Sequence, residues 1–366
     1  MTMTKSDAFR FDRAIALPGR VETSPPASST ADAPIAGPPI DAWTVRRDHA
    51  SGAFRWLRAT LAIILPVFLF STLITFLLGA ASGLNPAAGI AGDSASPETI
   101  AQIKAEFGLD RPVFQQYLAW IVGIFHGDLG KSWFNHVSVT ELIGQRVAVS
   151  ASVAGLALIL GVVFGAALGI VAALNQGRLV DRAITGATSI VSSLPPFVVA
   201  IVLIMIFSVW LRWLPSAGYV SPAVDFRMWL ALIAMPSIAH SVDIVADMAR
   251  QLRTGLVATL SENYVTGAIV RGLSWRRIVL VHVARNGAGP AITMLGMKIP
   301  TLIGGAVVTE SVFSMPGLGM LSADSALRGD VPIVQGTLVV CIAVVLAANI
   351  FINMLQGALQ PASRRR

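Results

Sequence analysis

The chain has 366 residues, 54% of them hydrophobic and only 13% charged, against the ~25% charged residues usual in soluble domains. That composition excludes an ordinary water-soluble globule, because the surplus apolar side chains must face hydrocarbon. The single cysteine, Cys341, excludes a disulfide framework or a Cys-rich metal site. The net charge of +7 raises nucleic acid as a partner, until its distribution along the chain is read.

Residues 1–55 carry Pro18, Pro25, Pro26, Pro34, Pro38 and Pro39 among Ser, Ala and Thr, with no sustained apolar periodicity. Such a segment buries too little surface to offset ordering entropy, so it is predicted to be a disordered cytoplasmic extension. It is not a signal peptide, because the first apolar run starts only near Leu61. Six apolar stretches follow, at about 59–80, 148–173, 184–210, 228–248, 289–311 and 333–356. Each is near the ~20 residues a helix needs to cross a bilayer. Pro66, Pro195, Pro196, Pro236 and Pro300 fall inside them, which a membrane helix tolerates where neighbours satisfy the freed carbonyls. In the second stretch Gly161, Gly165 and Gly169 repeat every four residues. They share one helix face, which another helix can approach closely.

Lysine and arginine set the expected orientation. With both termini inside, the inner segments hold the charges near Arg46–Arg58, then Arg178 and Arg182, the six arginines from Arg250 to Arg285, and Arg364–Arg366. The outer segments hold Lys104, Arg111, Lys131, Arg146, Arg212, Arg227 and Arg328, and Lys298 lies within a span. This bias follows the positive-inside rule, so the basic balance reports topology and needs no nucleic acid. Two excursions stand out. The outer one, 81–147, is rich in acids, and Ser96-Pro97-Glu98-Thr99 reads as a helix start with Ser96 as cap. The inner one, 249–288, is basic and amphipathic.

The inner loop contains Glu262-Asn263-Tyr264-Val265-Thr266-Gly267-Ala268-Ile269-Val270-Arg271-Gly272, then Arg276, Arg277, His282, Asn286 and Pro290. The pattern A-x3-G, a basic amphipathic stretch and H-x3-N-x3-P resembles the EAA loop of binding-protein-dependent ABC importer permeases. With Tyr264 in front it is similar to the B-type subunit of the dipeptide/oligopeptide branch. Further segments match the same family over about 60–360: Phe107-Gly108-Leu109-Asp110-Arg111-Pro112, Gly127-Asp128-Leu129-Gly130-Lys131-Ser132, Ser193-Leu194-Pro195-Pro196-Phe197, and Glu310-Ser311-Val312-Phe313-Ser314-Met315-Pro316-Gly317-Leu318-Gly319. The family's usual R-D-Y-P before the last span reads Gly329-Asp330-Val331-Pro332 here.

The resemblance implies an all-α membrane protein, a six-helix transmembrane bundle of ABC importer type with an outer soluble excursion after the first helix. It implies that the inner loop forms a coupling helix seated on a separate ATPase, through Glu262, Tyr264, Ala268, Arg271, Gly272, Arg276, Arg277, His282 and Asn286. Ala268 and Gly272, four apart, are expected to offer a small-residue face for that seat. The implied partners are a homologous second permease, two cytoplasmic ATPase subunits or domains, an external binding protein, a peptide substrate and membrane lipid. No cofactor is expected on this chain, and ATP and magnesium belong to the partner subunits.

Other features are weighed on their own chemistry. Gly130-Lys131-Ser132 invites a phosphate-loop reading, but the motif needs glycine at 125, where Phe125 stands. The five histidines show no i,i+4 pairing that would bind a metal. Asp243, Asp247 and Lys298 lie within spans, where a charge costs about 2.5–3.5 kcal/mol and must face a bundle interior or cavity. They and Glu310 are candidates for the translocation path or its gate. On that reading Asp243 or Asp247 faces the path, paired with Lys298 or Arg250; the competing reading is a structural ion pair, or a residue at the inner interface near Arg250 and Arg253, and for Glu310 a structural hydrogen bond. Two rival functions remain at this stage. An ion-coupled secondary transporter would use Asp243, Asp247 and Lys298 as coupling charges, and a membrane scaffold would recruit partners through residues 1–55. Within the importer class, a nickel chelate or glutathione remains an alternative ligand to di- and oligopeptides.

Overall fold

The computed structural model describes residues 49–83, 86–91 and 96–359. Most of the N-terminal extension, Asn85 and Arg364–Arg366 therefore lie outside the described residues. The chain divides into two units, Met1–Leu57 and Arg58–Arg366. Of the first unit only the start of the first helix, from His49, is described.

Helix α1 is His49–Ala81, so residues 49–55 of the proposed extension are helical. The outer excursion holds α2 (Pro86–Ala91), α3 (Pro97–Glu106) and α4 (Val113–Phe125). Then come α5 (Val139–Leu174), α6 (Leu179–Val191) and α7 (Pro196–Leu203), which continues as a π-helix over Ile204–Trp210. Helix α8 is Phe226–Leu260 and α9 is Asn263–Val270; α10 (Trp275–Arg277) runs through a π-helical stretch, Ile278–Val283, into α11 (Ala284–Gly287). Helices α12 (Gly289–Val312), α13 (Leu318–Arg328) and α14 (Val331–Leu359) complete the fold. Among the described residues no strand forms beyond one isolated bridge between Lys131 and Ser138. Among the described residues five helices are long and apolar enough to cross a membrane, and counting the bent pair around residues 192–195 as one span makes six.

Two of the expected spans differ in form. The third is two helices meeting at 96°. Pro195 and Pro196 remove two backbone donors, and the residue before a proline avoids helical dihedrals, so the chain turns through Ser192–Leu194 before restarting. The fourth does not end at 248. Nothing breaks the helix there, Arg250 pairs with Asp247 one turn back at 2.5 Å, and α8 runs on to Leu260. The inner loop thus begins as a continuation of a membrane helix.

Glycines set the core of the bundle. Gly161, Gly165 and Gly169 of α5 are all buried against α8. A Cβ at Gly165 would lie 2.5 Å from the Cβ of Met248, and one at Gly169 would lie 2.8 Å from the carbonyl oxygen of Ala249. At Gly161 it would overlap the Ile244 side chain. The four-residue repeat therefore lets α5 and α8 approach backbone to backbone. A second crossing escaped the sequence pattern. A Cβ on Gly287 would lie 2.9 Å from the carbonyl oxygen of Gly255, and one on Gly255 would overlap the Gly287 carbonyl.

Long-range polar contacts sort the connections into two ends. At one end the Ser132 hydroxyl donates to the Asp330 carboxylate at 2.5 Å, and the Gly218 N–H donates to the Phe313 carbonyl at 2.9 Å. The segments before α5, α8 and α14 therefore meet there. At the other end Arg253 holds Asp181 through two bonds of 2.5 and 2.7 Å, and Gly255 crosses Gly287. That places the start of α6 beside the inner loop.

Candidate functional site: the inner loop and the charges behind it

Helix α9 begins after Ser261, with Glu262 extended at its N-terminal boundary and the Glu262 carbonyl accepting from the Val265 and Thr266 N–H groups. It ends in a Schellman turn: the Gly272 N–H bonds to the Ile269 carbonyl at 2.9 Å, and the Leu273 N–H to the Ala268 carbonyl at 3.2 Å. Gly272 has φ +72°, a left-handed conformation that favours glycine. Its role is to stop the helix.

The small-residue face is corrected by the structure. Ala268 is 1% exposed and, with Val265, Ile278 and Val283, packs on Met248, Leu252 and Leu256 of α8 and on Ala291 and Met294 of α12. Spacing of four implies a shared face only while the helix lasts: Ala268 points at the bundle, whereas Gly272 lies past the end of α9, exposed, where a Cβ would meet open space. Each aliphatic side chain so buried contributes about 1.5–3 kcal/mol relative to water. The loop is therefore fixed to α8 and α12 rather than hung from them. Its opposite face is apolar and uncovered in this chain: Ile269, Val270 (82% exposed) and Trp275, with Tyr264 beside them.

The remaining loop residues divide by role. Asn286 donates to the Tyr264 hydroxyl at 3.1 Å and to the His282 carbonyl at 2.9 Å, which ties α9 to α11. His282 is half-buried in the π-helical stretch. Arg271 donates to the Gly267 carbonyl at 3.2 Å and lies exposed, as do Glu262, Arg276 and Arg277. The loop thus presents an apolar strip with basic groups beside it.

The intramembrane charges are brought together. Lys298 of α12 lies 2.5 Å from Asp243 and 2.6 Å from Asp247, one turn apart on α8, and Arg250 holds the second Asp247 oxygen at 2.5 Å. Two acids and two bases cancel, which is how charges persist at membrane depth. Glu310 stands elsewhere. It is buried, accepts the Ser150 hydroxyl at 2.6 Å and the Met320 N–H at 2.8 Å, while Ser150 accepts the Leu318 N–H at 2.9 Å. Ser150 and Glu310 together satisfy the first turn of α13, where a helix dipole favours a carboxylate. This explains the run after Glu310: a Cβ at Gly319 would sit 2.8 Å from the Val307 nitrogen, so α13 packs against α12 only with glycine there.

The Gly130-Lys131-Ser132 segment is a turn rather than a phosphate loop. Gly127 and Gly130 have φ of +79° and +88°, the Asp128 carboxylate accepts the Gly130 N–H at 2.8 Å, and the Ser132 hydroxyl is committed to Asp330. Burial pushes the Asp330 carboxyl above the usual carboxylate range, against the Ser132 hydroxyl and the backbone N–H groups that favour its charged form. Among the described residues no group of three or more His, Cys, Asp or Glu side chains is placed to hold a metal.

Comparison with known proteins gives the class to which this bundle belongs. The chain belongs to the family of binding-protein-dependent transport system inner membrane components, whose model matches residues 165–365, while residues 54–154 match the corresponding N-terminal family. It is 34% identical over 310 residues to a probable peptide ABC transporter permease protein of Sinorhizobium fredii, covering 85% of this chain and 98% of that one. It is 35% identical over 301 residues to a putative peptide transport system permease protein of Brucella abortus, covering 82% and 96%. The Dipeptide transport system permease protein DppB of Escherichia coli K12 is 32% identical over 330 residues, covering 84% and 97%. A solved structure, an amino acid ABC transporter with histidines, aligns at TM-score 0.44 and 14% identity over 59% of this chain and 94% of that one.

Proposed function

We propose that this chain is the B-type permease subunit of an ATP-driven importer of di- and oligopeptides, with both termini in the cytoplasm. An external binding protein delivers the peptide, a homologous second permease completes the path, and two cytoplasmic ATPase subunits or domains bind ATP and magnesium. The chain performs no chemistry itself. ATPase closure moves the loop, and the loop moves α8 and α12, to which it is fixed.

The observation that carries this reading is the two-sidedness of the loop: Val265 and Ala268 buried on the bundle, Ile269, Val270 and Trp275 exposed behind them. An apolar strip uncovered beside a basic rim marks an interaction surface. The names of the related proteins support peptides as cargo. A secondary transporter needs no such docking surface, and each of its candidate charges here already has a partner. The test is uptake of labelled Ala-Ala into proteoliposomes holding the whole complex and its binding protein. Uptake should require ATP and be indifferent to a proton gradient. Uptake driven by the gradient alone would refute the assignment.

A further inference from the structure

Behind Glu310 lies a cavity of about 440 Å³ between α5, α8, α12, α13 and α14, within the size range of small-ligand pockets. Its wall is mostly apolar, with Ala154, Pro236, Ile303, Leu338 and Val345 among the lining residues. Of its polar lining, Ser150 and Glu310 are committed to the first turn of α13, Thr75 to the Ser71 carbonyl and Thr337 to the Ile333 carbonyl. That leaves, beside Ser322, the buried imidazole of His240 and Thr309, which is 2% exposed and whose hydroxyl has no hydrogen-bond partner. A hydroxyl kept unpaired in an apolar wall calls for an explanation beyond imperfect packing.

The position of its mouth decides what it receives. Pro300 and Gly304 of α12 and Val344 of α14 are exposed lining residues, so the cavity opens between these helices. On α12, Met297, Thr301, Gly304 and Val308 follow helical spacing and are all exposed, forming one open face. Lys298 and Asp243 border that face on the side of α8, and the Asp243 side chain is 38% exposed. A partly exposed charge at membrane depth faces water or protein rather than lipid. On the importer reading this open face borders the translocation path, and the cavity is a pocket off its side.

Resting on the peptide-importer reading, we propose that this cavity is a side-chain subsite of the translocation path: it accepts a bulky apolar side chain of the peptide in transit, with the Thr309 hydroxyl and His240 imidazole available to the peptide's own polar groups. The chain would then contribute to cargo selection after the binding protein has released its ligand.

The test compares ATP-driven uptake of Phe-Phe and Ala-Ala by the reconstituted full complex, before and after the cavity is filled by Val344→Phe or, from another wall, Ala154→Leu. The ratio of Phe-Phe to Ala-Ala uptake should fall about tenfold in either variant, with binding-protein affinities unaltered. An unchanged ratio, or equal loss of both peptides by a complex that keeps its basal ATP hydrolysis, overturns the proposal. Should neither variant assemble, the parent complex answers through a dipeptide carrying benzoylphenylalanine, photolysed during turnover. Adducts within 300–307 or 337–345 support the subsite, and adducts confined elsewhere overturn it. Labelling of Cys341 by a diazirine-bearing phosphatidylethanolamine, undiminished by Phe-Phe, would make an acyl chain the occupant and also overturn it. Failure of the parent complex to take up Ala-Ala would instead defeat the peptide reading itself.

Discussion

The Glu310 carboxylate occupies the space where a side chain at residue 317 would have to stand, since an ideal Cβ on Gly317 overlaps both of its oxygens. Gly317→Ala should therefore evict the carboxylate from the first turn of α13, leaving it buried without its donors. The expected loss is about 1–3 kcal/mol, read as a lower thermal midpoint of the purified complex. Glu310→Gln keeps an acceptor in place and should lose less. A Gly317→Ala complex as stable as the parent would remove this account of the motif.

Gly272 acts through its backbone. Asparagine tolerates left-handed dihedrals better than alanine does, so Gly272→Asn should retain most ATP-driven uptake while Gly272→Ala loses about 1 kcal/mol of loop stability and several-fold in uptake. Equal behaviour of the two variants would return the residue to a steric role against a partner.

Val270 lies on the uncovered side of α9, far from the buried packing of Val265 and Ala268. Val270→Asp should leave the permease folded and membrane-inserted but abolish co-purification of the ATPase and uptake with it. Retention of the ATPase in stoichiometric amount would show that α9 does not make the docking contact.

Buried Asp181 and half-buried Arg253 form a two-bonded pair, to which the Gly177 N–H adds a third contact at 2.9 Å. Removing Arg253 strands the buried Asp181, a loss of about 1–3 kcal/mol, whereas removing both is milder. Thermal midpoints should therefore place Asp181→Asn/Arg253→Met above Arg253→Met alone. If the single and double variants are additive, the pair is not an energetic unit.

The spans, the glycine face of α5 and the pairing of Asp243 and Asp247 with Lys298 were legible because bilayer physics constrains them locally: apolar length, close approach and neutralised charge each leave a mark in sequence. The fourth helix was cut short at 248 because apolar content falls there, although helical hydrogen bonding does not. The break of the third span was written in Pro195-Pro196, yet proline inside a membrane helix has two outcomes, a kink or a stop, and only packing chooses between them. The direction of the Ala268 face depends on α8 and α12, and the capping of α13 joins Ser150 to Glu310 across 160 positions. Gly255 and Gly287 leave no pattern in the sequence, because each one's partner is the other's backbone.

That last crossing has a practical meaning. Because the chain enters and leaves the inner loop at the same point, residues 256–286 form a closed cassette with a single pair of splice points. A segment from a related permease can be grafted there without altering the path of either membrane helix, provided it supplies the counterparts of Val265, Ala268, Ile278 and Val283. If the loop seats the ATPase as proposed, such a graft should exchange the motor while leaving the cargo unchanged.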